Sequence, residues 1–211
     1  MAGTVRAWLD RWGRHAWAKP VLGLVVALPC AWLVWAAFAN QLGANPAEAL
    51  IRATGDWTLR FLCVALAVTP LREWLRVPAL ARLRRLLGLT VFAYACLHLT
   101  AYVWLDMGAE WADVVADVAK RPFIALGMTC WLLLLALALT SFNAAVRWLG
   151  GARWRALHRA VYAVAVLAVL HFWWMRAGKN NFTEVWVYAT VLAALLSVRV
   201  WNFYVKNASI A

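Results

Sequence analysis

Two histidines set inside apolar runs are the residues of this chain best placed to do chemistry. His98 lies in YACLHLTAY, and His171 closes the stretch LHRAVYAVAVLAVLHFWW, Leu157 to Trp174, which also holds His158. Between His158 and His171 only Arg159 and Tyr162 are not apolar. A histidine deep in such a run must satisfy two ring nitrogens without water, which is costly. One solution is a core imidazole hydrogen-bonded to a neighbouring carbonyl. The other is an axial ligand to haem iron. A second helix offering a histidine at the same depth favours the haem.

The elements that must position these rings follow from composition. The chain has 211 residues, 66% of them hydrophobic and 14% charged, which is too apolar for a soluble domain of this size. We read an all-α integral membrane protein, a six-helix transmembrane bundle binding b-type haem. The net charge of +12 sits in short segments between apolar runs, so it reports topology rather than a nucleic-acid surface. Six spans of roughly the 17–25 residues that cross a bilayer are expected. They run about Pro20–Ala39, Asp56–Leu71 (starting a turn earlier, near Arg52), Leu86–Leu105, Pro122–Ser141, Ala160–Met175 and Val185–Tyr204. The basic segment before the first imitates a signal peptide, but the long apolar run and the further spans predict an uncleaved helix.

Fifteen of the twenty-one Lys and Arg fall in the N-terminal segment, Leu71–Arg85, Phe142–Arg159 and the C-terminal end. Both termini are therefore expected in the cytoplasm of a bacterial inner-membrane protein. The division of the chain is 1–19, a basic cytoplasmic segment; 20–205, the membrane domain; and 206–211, a short cytoplasmic tail. Asp106–Arg121, with Trp111, Val114, Val115 and Val118, predicts a short amphipathic helix on the outer surface. No internal repeat is legible. Counted from the cytoplasmic end, His98 comes about thirteen residues into the third span and His171 about twelve into the fifth, roughly 20 and 18 Å deep. Equal depth suits two imidazoles on opposite sides of one iron, with Ala95, Ala101 and Ala168 leaving room for a flat macrocycle.

The remaining candidates are weaker. His158 comes thirteen residues before His171, roughly 20 Å away and about 140° round a straight helix. Arg84 and Arg85 stand where a partner histidine would be needed. A second bis-histidine haem is thus not expected, and His158 is open to a haem with another ligand, a quinone, a flavin or a lipid phosphate. His15 reads as solvated. Cys30, Cys63, Cys96 and Cys130 fall one per helix without CxxC or CxxCH, so they read as small apolar residues and covalent haem is excluded. Arg60, at the outer end of the second span, is a candidate partner for haem propionates, with snorkelling to headgroups as its ordinary alternative. No GxGxxG fingerprint or nucleotide-binding domain is present. Electrons must then come from a membrane quinol or a separate reductase.

Several motifs also resemble one family. LGANP (Leu42–Pro46), Thr54-Gly55, VTPL (Val68–Leu71), RRLLGL (Arg84–Leu89), LHLTAY (Leu97–Tyr102), KRPFIALG (Lys120–Gly127) and LGGARWRALHRAVY with HFWW are similar to the MsrQ (YedZ) family, related to ferric-reductase-like transmembrane domains. The core of that likeness is about residues 52–175. The resemblance implies b-type haem held through His98, His158 and His171, and FMN. It also implies electron delivery from the quinone pool to a periplasmic molybdopterin-containing MsrP-like reductase that repairs oxidised methionine. A cytosolic flavin reductase is a further candidate donor. The chain would be the electron-transfer subunit rather than the catalytic one. Two other classes stay open: a stand-alone ferric-reductase or cytochrome b561-type oxidoreductase, and a cofactor-free transporter or structural protein.

Overall fold

The computed structural model describes residues 2–178 and 180–208, and every regular element among them is helical. In chain order these are α1 (Ala2–Arg14), α2 (Ala18–Phe38), α3 (Pro46–Trp74), α4 (Arg84–Ala101), α5 (Trp111–Lys120), α6 (Pro122–Leu139), α7 (Asn143–Leu149), α8 (Gly151–His158), α9 (Ala160–Ala177) and α10 (Thr183–Ala208). A 3-10 turn, Pro78–Leu83, leads into α4, and a π-helical turn, Tyr102–Asp106, extends it. Helix α10 runs on through Ala208, where a tail was expected to begin at 206, and residues 209–211 of that tail lie outside the described residues.

Among the described residues five segments are long and apolar enough to cross a bilayer: Ala18–Phe38, Pro78–Asp106, Pro122–Leu139, Gly151–Ala177 and Thr183–Asn202. The expected second span is absent from that set, although α3 is 29 residues long. Glu48, Arg52, Asp56, Arg60, Arg72 and Glu73 dilute it. It also starts well before Asp56, because Asn45 caps the backbone N–H of Glu48 at 3.1 Å and Pro46 occupies the first turn, where its missing donor costs nothing. Helix α3 is wrapped by α2, α4 and α10, so protein rather than lipid faces much of it.

The bundle is built on two helix pairs, α3 with α4 and α6 with α9, which pack more extensively than any others. Their shared core holds Leu62, Val91, Val164 and Leu192. Outward faces are apolar as well: Leu24 and Trp201 are each 70% exposed, as a lipid-facing surface requires. Prolines inside helices are compensated from neighbours. Pro70 offers no N–H to the Leu66 carbonyl, and Arg199 of α10 supplies a guanidinium donor there at 2.5 Å. Next to Pro29, the Tyr94 hydroxyl of α4 inserts into the α2 ladder, accepting from the Cys30 N–H at 3.0 Å and donating to the Val26 carbonyl at 2.8 Å.

The first nineteen residues are more than a charged leader. Asp10 of α1 accepts from the Ala79 N–H at 3.1 Å, Arg6 donates to the Arg76 carbonyl at 3.1 Å, and Arg82 donates to the Arg14 carbonyl at 2.8 Å. Gly13 permits that docking, since a Cβ there would lie 2.8 Å from the Ala79 Cβ. The amphipathic helix expected in Asp106–Arg121 is α5, with Val114 turned into the protein and Trp111 and Val115 exposed.

Candidate functional site

His98 on α4 and His171 on α9 meet in the middle of the bundle with ring centroids 6.3 Å apart. Each ring is fixed from behind by the helix its own helix packs on. His98 Nδ1 bonds the Ile51 carbonyl of α3 at 2.8 Å, and His171 Nδ1 bonds the Phe123 carbonyl of α6 at 2.6 Å. A carbonyl oxygen cannot donate, so both Nδ1 atoms carry the proton, and Nε2 is the lone-pair nitrogen on each ring. Among the described residues neither Nε2 has a hydrogen-bond partner.

A helix carbonyl that already accepts from residue i+4 is normally screened by side chains. Here residue i+4 is glycine in both cases, Gly55 after Ile51 and Gly127 after Phe123. A Cβ at Gly55 would come 3.1 Å from His98 Cε1, and one at Gly127 would come 2.9 Å from His171 Cε1. The missing methyl groups let each ring bring its Nδ1–Cε1 edge onto the opposing backbone. Carbonyl and histidine are separated by 47 residues in one pair and 48 in the other. The structure therefore contains a repeated carbonyl–glycine–histidine unit that the sequence does not advertise.

The two rings line one cavity of about 630 Å³, which also contains Ala95 and Ala168. That is within the range of cofactor clefts, roughly 300–1,000 Å³. Two metal–imidazole bonds of about 2.0–2.1 Å, each with a ring centroid roughly 1.1 Å behind the nitrogen, separate trans rings by about 6.3 Å. The observed spacing suits one metal between two Nε2 atoms, and no carboxylate or thiolate cluster among the described residues competes for it.

The charged residues lining the cavity are Arg52, Arg121, Glu48, Asp56 and Asp106. Arg52 pairs with Glu48 at 2.5 Å. Arg121 pairs with Asp117 of α5, which also accepts from the Tyr102 hydroxyl at 2.5 Å. The Arg121 hydrogen bond holds the Asp117 carboxyl below the usual carboxylate range, and Asp117 in turn raises Arg121. Arg60 does not line this cavity. Its Nε donates to the Tyr188 hydroxyl at 3.1 Å and its guanidinium lies 4.6 Å over Trp57.

His158 is elsewhere. The chain breaks between α8 and α9, with Arg159 as the joint and Tyr162 N–H bonding back to the Arg159 carbonyl at 3.0 Å. The ring stacks on Trp154 at 4.0 Å, and its Nε2 lies 3.1 Å from the Thr140 hydroxyl. It lines a second cavity of about 830 Å³ on the side of the bundle opposite the histidine pair. Leu62, Val91 and Leu134 line both cavities, so a single layer of side chains divides them. His15 is exposed, and its Nδ1 accepts from the Trp17 N–H at 3.4 Å. All four cysteines are free.

A family model described as the ferric reductase like transmembrane component matches residues 54–169, over half the chain. A protein of Polaromonas naphthalenivorans (strain CJ2) is 58% identical over 203 residues, 95% of this chain and 93% of that one. A Herminiimonas arsenicoxydans protein is 47% identical over 92% of this chain and 90% of its own. A Caulobacter vibrioides protein is 46% identical over 82% of each. All three are named protein-methionine-sulfoxide reductase heme-binding subunit MsrQ. The chain belongs to the MsrQ family. With its five apolar segments, this MsrQ-family chain is a multi-pass membrane protein. No solved structure matches it.

Sequence reasoning singled out both histidines of the pair but missed Gly55 and Gly127 as the residues that seat them. The available signal was a glycine inside an apolar helix with no turn to make. Arg52 and Arg121 at the mouth, and Trp154 against His158, were likewise not singled out.

Proposed function

We propose that this chain binds one b-type haem between His98 and His171. In this reading it is the membrane electron-transfer subunit that serves a periplasmic, molybdopterin-containing MsrP-like reductase of protein methionine sulfoxide. The observation that carries the reading is the pair of imidazoles 6.3 Å apart, each donating Nδ1–H to a backbone carbonyl and both lining one cavity with Nε2 unpartnered among the described residues. Haem iron held there supplies reversible one-electron chemistry. The protein's contribution is to fix both rings before the group arrives, so ligation costs little reorganisation. Arg52 and Arg121 at the mouth, rather than Arg60, are the side chains we assign to the propionates.

Electrons arrive in this reading from the side with the basic segments. All six long helices, α3 included, span the inner membrane, with both termini in the cytoplasm. Quinol, FMN or a cytosolic flavin reductase delivers at the second cavity, where His158 and Trp154 offer a flat face. From there only Leu62, Val91 and Leu134 intervene before the outer site. The FMN assignment rests on the family likeness and on that stack alone. Reduction of methionine sulfoxide itself belongs to the soluble partner.

One preparation tests the core of this. The purified protein should be red-brown, give a b-type spectrum with dithionite, and release its haem into acid acetone. Haem that stays attached, or no Soret band from haem-sufficient cells, overturns the reading. Passing electrons to a periplasmic reductase partner, and not only to ferric chelates, separates it from a stand-alone ferric reductase.

A further inference from the structure

Three acidic residues line the cavity of the histidine pair, and two of them have basic partners. Glu48 is paired with Arg52, and Asp106 lies 3.9 Å from Arg121. Asp56 is the third, half-buried on α3, and among the described residues no hydrogen bond or ion pair reaches its carboxylate. The residue before it, Gly55, packs against the His98 ring. The charged groups that face Asp56 are of mixed sign: Arg52 and Arg60 of α3, Arg176 of α9 and Glu184 of α10. Arg52 is taken by Glu48, Arg176 by Glu184, and Arg60 bonds the Tyr188 hydroxyl. His98 and Tyr102 of α4, with His171, are the titratable groups on the cavity's other walls. Of charged residues α2 brings only Lys19, in its first turn. A carboxylate left without a partner inside an apolar bundle is expensive, which marks it as functional.

An electron held in this cavity adds a unit of negative charge where charge is poorly screened. We infer that Asp56 is the proton-accepting group of the site, its carboxylate taking up one proton from water as one electron enters and releasing it when the electron leaves. One electron and one proton go in together, COO⁻ becomes COOH, and the net charge of the cavity is unchanged. Glu48 and Asp106 are poorer acceptors, because a proton on either breaks an ion pair with an arginine. No hydrogen bond joins Asp56 to either imidazole, so its influence on the electron is through charge. Water reaches the cavity along its polar edge, where the Asp106 and Arg121 side chains are 50% and 39% exposed. The assignment rests on the reading of His98 and His171 as haem ligands and adds to it the group that balances each electron.

Redox titration of the full-length protein in detergent, repeated across pH and read from the reduced absorbance, tests it. With one proton per electron the midpoint should fall by about 59 mV per pH unit while Asp56 titrates, the one-electron equivalent of a tenfold change in equilibrium constant. Asp56→Asn should flatten that slope. Its reduced-minus-oxidised infrared spectrum should also lack the carboxylic-acid carbonyl band that the wild type gains on reduction. Asp56→Glu keeps a carboxylate and should keep both signals, with the pH window of the slope displaced. If Asp56→Asn fails to fold, that displacement carries the test, and an unmoved window in Asp56→Glu overturns the inference. Glu110→Gln, at an exposed acid outside the cavity, should change neither signal. A coloured wild type whose midpoint ignores pH, or a slope and band that survive in Asp56→Asn, overturns the inference and leaves the haem reading standing. A protein without a Soret band overturns the haem reading before any titration, and the role of Asp56 falls with it.

Discussion

Two cavities lie back to back in this bundle, and each takes in histidine at the edge of an apolar core. In the one lined by His98 and His171 the imidazoles are held by main chain: a carbonyl fixes Nδ1, a glycine four residues on clears the space, and the arrangement occurs twice. In the one lined by His158 the histidine is held by side chains, a threonine hydroxyl and a tryptophan face, beside five arginines. The first is a rigid seat that presents two nitrogen lone pairs. The second is a recess lined by arginines and by no Asp or Glu. A buried histidine is therefore not one kind of feature. What it can bind depends on what satisfies its other nitrogen and on which charges share its cavity.

The largest effect should come from removing a ring. His98→Ala and His171→Ala should each lose most low-spin haem, measured as absorbance per protein, because Cys96 and Thr100 lie about 200° round the helix and cannot substitute. His158→Ala should keep that spectrum but slow reduction by quinol in stopped flow. If His158→Ala bleaches the protein as fully as His171→Ala, the distinction between the cavities collapses.

Next come the seats. Gly127→Ala and Gly55→Ala each place a methyl within about 3 Å of an imidazole, an overpacking worth about 1–3 kcal/mol. Both should shift the spectrum toward high spin and lower the melting temperature. Gly23→Ala, with open space around it, is the control and should do neither. Unchanged spectra at both seats would mean the rings are not held as the backbone bonds indicate.

A smaller effect is expected where α10 meets α3. Arg199→Met strands the Leu66 carbonyl at a cost of about 1–3 kcal/mol. Pro70→Ala restores the missing N–H and should recover part of that loss in thermal melting. If the two substitutions destabilise additively, Arg199 is not there for the proline.

The smallest lies at Asp117, between two of the apolar segments. Its carboxyl is held low mainly by the Arg121 hydrogen bond, so the unfolded chain takes up its proton first as pH falls. The pair's contribution is full above the ordinary value of 3.8 and disappears as pH drops through the lower folded value. Asp117→Asn should therefore cost under about 1 kcal/mol at neutral pH, and its melting curve should converge on wild type only under strongly acid conditions. A gap that is constant with pH would sink the assignment.

Hydropathy and basic-residue placement were enough to locate five apolar segments, the amphipathic α5 and the equal depth of His98 and His171, because each depends on local composition or on a fixed rise per residue. Local composition gave only part of α3, whose charges shorten a 29-residue helix to the expected Asp56–Leu71, and it gave nothing of how α1 docks on Ala79, which is set by partners nearly seventy residues away. Arg60 looked like a cavity residue because sequence gives depth along a helix and not direction around the bundle. Only packing turned it to Tyr188 and brought Arg121 to the mouth. The seats of the two rings are decided the same way. Histidine type and depth are properties of the chain, but a carbonyl from a helix 47 or 48 residues away fixes each tautomer, and that exists only once α3 lies on α4 and α6 on α9.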